Sequence, residues 1–141
     1  MKNKKFNVRV YGLLINEKKE ILVLDETRNG FHFTKFPGGG LEWGEGIKEC
    51  LKREFIEELG IKVKVNELFY LTDDFIQSAF NSDDQLISIY FFVNILENEN
   101  ISTLSENEVP RWISLSNIHE DCFTFPIDKL VVEKIKSSIL I

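Results

Sequence analysis

Residues Arg53 to Gly60 read R-E-F-I-E-E-L-G, and no other stretch constrains the fold as tightly. On a helix, at about 100° per residue, Glu54, Glu57 and Glu58 share a face, because positions three and four apart return to the same side. Traced backward, that face carries Cys50 and Ile47, with Leu51 beside them, while Lys48, Glu49 and Lys52 lie opposite and make the natural solvent face. The acids therefore continue an apolar stripe and are expected to turn toward the body of the protein. Desolvated carboxylates so close together repel one another, so the arrangement calls for a cation. Arg53, four residues before Glu57, can neutralise one of them. The others want a divalent metal, and oxygen ligands select a hard ion, Mg²⁺ with Mn²⁺ as the substitute.

The strongest punctuation in the chain, P-G-G-G at 37–40, lies just upstream. Gly38, Gly39 and Gly40 allow a sharp turn, close approach to a ligand, and a carbonyl free to face a metal. Around this loop the pattern predicts strands over Phe6–Ile15 and Ile21–Leu24, joined as a hairpin through a polar turn at 16–20, and a third strand over Phe31–Phe36. In the first, Val8, Val10, Gly12 and Leu14 fall on one side; in the third, Lys35 is set opposite the aromatics. A helix follows over Glu45–Leu59, with Gly60 as its C-cap.

Further strands are expected over Ile61–Leu71, Leu86–Leu96 and Arg111–Ser114. Loops are expected over Asp73–Asp84 and Glu97–Asn107, and a short helical turn over Ser116–Glu120. A last helix over Ile127–Leu140 has Leu130, Val131, Lys134 and Ile135 at helical spacing and Asp128 in its first turn. Strands, a helix, strands and a helix describe an α+β fold, a mixed sheet with a helix on each side.

The 141 residues suit one domain over 1–141, and the 43% apolar content with twelve Phe can build a core. A formal net charge of −6 disfavours a nucleic-acid polymer as partner, since that backbone wants a basic face. It does not disfavour an anionic small molecule if a metal supplies the positive charge. Cys50 and Cys122 form no metal or disulfide pattern and read as small buried residues. No apolar run reaches the 18 or so residues of a membrane span, and the basic start, Lys2, Lys4 and Lys5, leads into a run broken by Arg9 with no cleavage site. A cytoplasmic protein with no membrane partner is the expectation; monomer and homodimer are both open.

Gly39, Glu45 and the run Arg53-Glu54-Phe55-Ile56-Glu57-Glu58-Leu59-Gly60-Ile61 together resemble the Nudix box, G-x5-E-x7-R-E-U-x-E-E-x-G-U with U a bulky apolar residue, at every fixed position. The flanking K-F-P-G-G-G-L-E-W-G-E and R-W-I-S-L are similar to segments common in that family. The resemblance implies the Nudix fold, a mixed β-sheet sandwiched between helices as α/β/α, and hydrolysis of a nucleoside diphosphate linked to some other group. It implies metal ligation by Glu54, Glu57, Glu58 and the Gly39 carbonyl, an orienting role for Arg53, and support of the loop or an outer-shell water by Glu45. In the family one of the box glutamates, here Glu54, Glu57 or Glu58, can double as the base. Some members instead recruit one from a later loop, where Glu106 and Glu108 are candidates and a solvated loop is the plain alternative.

Downstream of the box, D-F-I-Q-S at 74–78 has neither the proline common in ADP-ribose enzymes nor the tyrosine common in dinucleoside polyphosphate enzymes. That leans toward the MutT-like group, which converts nucleoside triphosphates to monophosphate and pyrophosphate. The alternatives are a nucleotide-sugar or ADP-ribose type pyrophosphatase, and a non-catalytic nucleotide sensor. Candidates for meeting the nucleotide are Gly38, Gly39 and Gly40 at the phosphates and His32, Phe33, Phe80, Phe125 and Asp128 at the base. Asp128 fits equally well as a first-turn helix acid, His32 as a strand surface residue, and the aromatics as core. Trp43 is placed beside the site and Trp112 in packing.

Overall fold

The computed structural model describes residues 3–96, 100–102 and 106–138. Strand β1 (Lys5–Leu14) runs parallel to β6 (Asp84–Ile95) along its length, and β6 pairs antiparallel with β5 (Val63–Leu71). On its other edge β1 meets β4 (Gly38–Gly40), Arg9 opposite Gly40 and Tyr11 opposite Gly38. A second, antiparallel sheet has β2 (Glu20–Arg28) at its centre, between β3 (Phe31–Lys35) and β7 (Glu108–Ser114). Two helices are seen among the described residues, α1 (Ile47–Leu59) and α2 (Pro126–Ser138), with a 3-10 turn at Glu120–Cys122.

Strand alternation gives each sheet two apolar faces, and each helix covers one. Val10 and Leu14 of β1, Leu22 and Leu24 of β2, and Ile89, Phe91 and Val93 of β6 pack with Cys50, Leu51, Phe55 and Leu59 of α1. The intervening residues Leu13, Ile21, Val23 and Tyr90 pack with Ile127, Val131, Val132 and Ile135 of α2. This is the expected α/β/α sandwich, with its strands divided between two sheets.

Several local expectations change. The hairpin between the first two strands does not form. Both edges of β1 are already taken, by β6 and β4, and the Gly12 amide donates to the Pro37 carbonyl at 2.8 Å. Only Ile15 and Ile21 bridge to β2. The glycine run is a short strand rather than a loop. The third strand stops at Lys35, and the first helix starts at Ile47, after an extended Gly46, rather than at Glu45. Gly60 ends that helix at φ 67°, its amide donating to the Ile56 carbonyl.

The expected turn at 116–120 lies slightly later. The last helix is followed to Ser138, and residues 139–141, with 97–99 and 103–105 of the expected loop, lie outside the described residues. Cys50 is buried and Cys122 half-buried, both free. Trp112 packs against the α1 core, while Trp43 is fully exposed.

Gly12 sits beneath the ring of Phe55: a Cβ there would lie 2.5 Å from Cε1 of that fully buried side chain. With no room for the ring to withdraw, Gly12→Ala should destabilise the fold by about 1–3 kcal/mol through overpacking. Urea denaturation reads this directly; an unchanged midpoint would contradict the packing described.

Candidate active site

The acids of α1 divide by position. Its core line runs through Cys50, Leu51, Phe55 and Leu59; Glu54 and Glu58 flank that line with side chains 14% and 10% exposed, whereas Glu57 is 56% exposed at the rim. Ile47, expected on the inward stripe, is exposed in the first turn; Lys48, Glu49 and Lys52 are exposed as expected.

The glycines of β4 press against these acids. At Gly38, φ is +147° and a Cβ would collide with the Val10 carbonyl; at Gly39 a Cβ would lie 2.5 Å from the Glu54 carboxylate. Side-chain-free backbone is what lets β4 lie between β1 and the glutamates. The Gly38 amide donates to Glu58 Oε1 at 2.9 Å.

Two cations hold the acids in place. Arg53 forks onto Glu45, with Nε 3.0 Å from Oε2 and a terminal nitrogen 2.7 Å from Oε1. It also donates to Glu54 Oε1 at 3.0 Å, Glu57 Oε2 at 3.1 Å and the Gly40 carbonyl at 3.0 Å. Glu45 in turn accepts from the Glu42 amide, which secures the segment before the helix. These partners, Arg53 foremost, lower the Glu45 pKa to about 2. The second cation is Lys35, buried at the end of β3, whose Nζ donates to Glu58 Oε2 and to the Gly38 carbonyl, both at 3.0 Å, and lies 3.8 Å from Glu26 Oε2.

Burial opposes charge at three of the acids in this cleft. It raises the pKa of Glu54, with Glu58 adding to the effect, and of Glu58 despite Lys35. Glu108 at the start of β7 is raised by burial and then by Glu26, and its Oε2 is buried without a hydrogen-bond partner. Burial also pushes the Cys50 thiol up to about 12, so it stays protonated beside the Gly40 carbonyl at 3.5 Å.

Lys35, Glu26, Arg9 and Arg28 were not anticipated from the sequence. For Lys35 the signal was available: Phe31, Phe33 and Lys35 have the same parity in a strand, so Lys35 shares the face of the aromatics rather than opposing them. A lysine on an inward strand face needs a carboxylate partner.

Beside the acid cleft opens a second pocket, with Phe33, Phe80, Phe125, Asn7 and Leu86 in its walls and Arg9, Arg28 and Lys35 common to both. Its rings pack edge to face, Phe33 to Phe80 at 5.5 Å and Phe80 to Phe125 at 5.7 Å between centroids. The Arg28 guanidinium lies 4.9 Å from the Phe80 centroid and pairs with Glu26 at 2.9 Å.

Of the residues expected at a base, Phe33, Phe80 and Phe125 line this pocket. His32 does not: it is exposed on the other face of β3, its Nδ1 2.7 Å from Thr27 Oγ1. Asp128 lines none of the clefts found among the described residues. It is buried in the first turn of α2, where it accepts from the Tyr90 hydroxyl at 2.6 Å. Both expectations are corrected by burial and strand parity. Trp43 lies outside the acid cleft, and Glu106 is exposed away from it.

The fold and the cleft are those of a phosphoanhydride hydrolase that gathers carboxylates beside a glycine strand. Residues 5–133 match the family model of the NUDIX domain, and the chain belongs to that family. It is 28% identical to the 8-oxo-dGTP diphosphatase of Escherichia coli (strain K12) over 135 residues, which is 94% of this chain and 98% of the relative.

Its fold is similar to that of a MutT protein from Methanosarcina mazei Go1, with a TM-score of 0.78, 24% identity and 96% of each chain covered. It is also similar to a NUDIX hydrolase from Nitrosomonas europaea, with a TM-score of 0.77, 22% identity and 94% and 90% of the two chains covered. Family members act on small-molecule nucleotides and generally use a divalent metal. The donor set suits such an ion: carboxylate and carbonyl oxygens, with one buried Glu108 oxygen lacking a partner. Among the described residues no helix is long and apolar enough to cross a membrane.

Burial raises the Asp128 pKa to about 7, with the Tyr90 hydrogen bond opposing. A carboxyl raised above its unfolded value stabilises fully below the unfolded pKa and loses that contribution as pH rises through the folded one. Stability from Asp128 should therefore fall between about pH 4 and pH 7. Asp128→Asn should flatten that decline in urea titrations across the range; an unaltered decline would assign it to other groups.

Proposed function

We propose that the protein is a MutT-like pyrophosphohydrolase that cleaves a nucleoside triphosphate to the monophosphate and pyrophosphate. The observation that carries this reading is the continuity of the two clefts through Arg9, Arg28 and Lys35. A pocket walled by aromatic rings that can stack on a base runs into a carboxylate cleft through a bridge of cations suited to phosphate oxygens. The E. coli relative's activity as an 8-oxo-dGTP diphosphatase supports the same substrate class.

Glu54, Glu57 and the Gly39 carbonyl would hold Mg²⁺, or Mn²⁺ in its place, with Glu58 bordering the ion, its two oxygens engaged by the Gly38 amide and Lys35. When bound, the ion supplies Lewis acidity and neutralises phosphate charge. Arg53 keeps Glu54 and Glu57 aimed through its hydrogen bonds, and Glu45 keeps Arg53 aimed in turn. Phe33, Phe80 and Phe125 offer the base their rings.

Water attacks a phosphorus of the anhydride, the bridging P–O bond breaks so that monophosphate and pyrophosphate separate, and a cleft carboxylate takes the water's proton. Glu108 suits that role best. Burial raises the pKa of Glu54, Glu58 and Glu108 alike, but Glu54 and Glu58 are committed to Arg53 and Lys35, while Glu108 keeps an oxygen without a partner. A base works most effectively when its pKa approaches the working pH.

A panel of nucleoside triphosphates, oxidised nucleotides, ADP-ribose, nucleotide sugars and dinucleoside polyphosphates, assayed with Mg²⁺, tests the substrate. Triphosphates, giving pyrophosphate, should be turned over best. Turnover confined to ADP-ribose or nucleotide sugars would replace this reading, and silence across the panel would favour a sensor. Glu58→Gln should lower kcat by at least about a hundredfold with the fold intact by circular dichroism; near-normal turnover would remove Glu58 from the site. Glu108→Gln should lower kcat and remove the acidic limb of its pH profile.

A further inference from the structure

Glu26, Glu58 and Glu108 each bring a carboxylate oxygen within 4.8 Å of the others, a spacing at which a metal ion could be shared. That space already has a cation at its edge. The Lys35 ammonium has three donors: one goes to Glu58 Oε2 and one to the Gly38 carbonyl, each at 3.0 Å, and Glu26 Oε2 lies 3.8 Å away. Carboxylate and carbonyl oxygens around a fixed positive charge are the surroundings a hard divalent ion would use. The lysine stem is locked by burial, and its strand position, paired with Leu24 of β2, points it at the cluster.

We propose that Lys35 is a built-in cation of the cleft: it serves Glu26 and Glu58 in place of a second divalent ion, so that without nucleotide the metal is confined to the side of Gly39, Glu54 and Glu57. This rests on the reading that those residues hold the catalytic ion. A fixed ammonium repels a divalent ion brought within a few Å of it, and in a partly desolvated cleft that repulsion is large. Lys35 is thus a positioning residue, acting on the metal through the carboxylates it occupies. An ordinary structural salt bridge would affect stability without altering how many ions bind.

The test is titration of the full chain with Mn²⁺ without nucleotide, following free Mn²⁺ by electron paramagnetic resonance. Wild type should take up a single ion per chain. Lys35→Met should take up a further ion, or bind Mn²⁺ at least about tenfold tighter, and Lys35→Arg should restore the wild-type behaviour. Because Lys35→Met could lose its fold, Glu26→Gln provides an independent arm. With Glu26 Oε1 engaged by Arg28 at 2.9 Å and Oε2 facing the ammonium at 3.8 Å, this variant should bind Mn²⁺ within about twofold of wild type, whereas Glu54→Gln should lose most of its affinity.

The inference is overturned if folded Lys35→Met matches wild type in count and affinity. It is equally overturned if Glu26→Gln weakens Mn²⁺ as much as Glu54→Gln does. Failure of wild type to bind any Mn²⁺ would be a different result, overturning the metal-site reading itself and this inference with it.

Discussion

Mutual repulsion among carboxylates that the fold turns inward is the constraint on which the rest of the molecule depends. Four of them, from Glu26, Glu54, Glu58 and Glu108, line one cleft with Glu57 at its rim, and burial raises the pKa of three. Isolated, such a group would protonate or open to solvent. Here Arg53 spans Glu45, Glu54 and Glu57 from outside the cleft, and Lys35 ties Glu58 to β4 from inside it. What these cations leave uncompensated gives the site its capacity for a divalent ion.

The architecture serves that balance. Helix α1 can present acids beside its core line because Phe55 and Leu59 anchor it to the sheet, with Gly12 leaving room for the Phe55 ring. Strand β4 can pass between β1 and the glutamates because it has no side chains. The second sheet contributes Glu26, Lys35 and Glu108 from its three strands, so the cleft closes only when both sheets are assembled. The aromatic pocket grows from the same sheet, since Phe33 lies two residues before Lys35 on the same strand face.

The helix, its cap at Gly60 and the inward turn of Glu54 and Glu58 could be read from spacing alone, because helical periodicity is local. The separation of the strands into two sheets could not be read, because it depends on β6 and β4 claiming both edges of β1 from distant parts of the chain. Glu26 and Arg28 gave no local signal; their meaning comes from pairing across β2 and β3. Lys35 did give one, since alternation sets it with the aromatics. Asp128 illustrates the limit of motif reasoning: the same residue suits a base-reading acid and a helix-start acid, and only its burial under Tyr90 separates them.

The most direct measurement of the central claim is anomalous diffraction at the manganese absorption edge from crystals soaked in Mn²⁺. The account predicts an anomalous peak within coordination distance of the Gly39 carbonyl and the Glu54 carboxylate, with Lys35 still bound to Glu58. Carboxylates splayed into solvent, with no peak between β4 and α1 at saturating Mn²⁺, would contradict it.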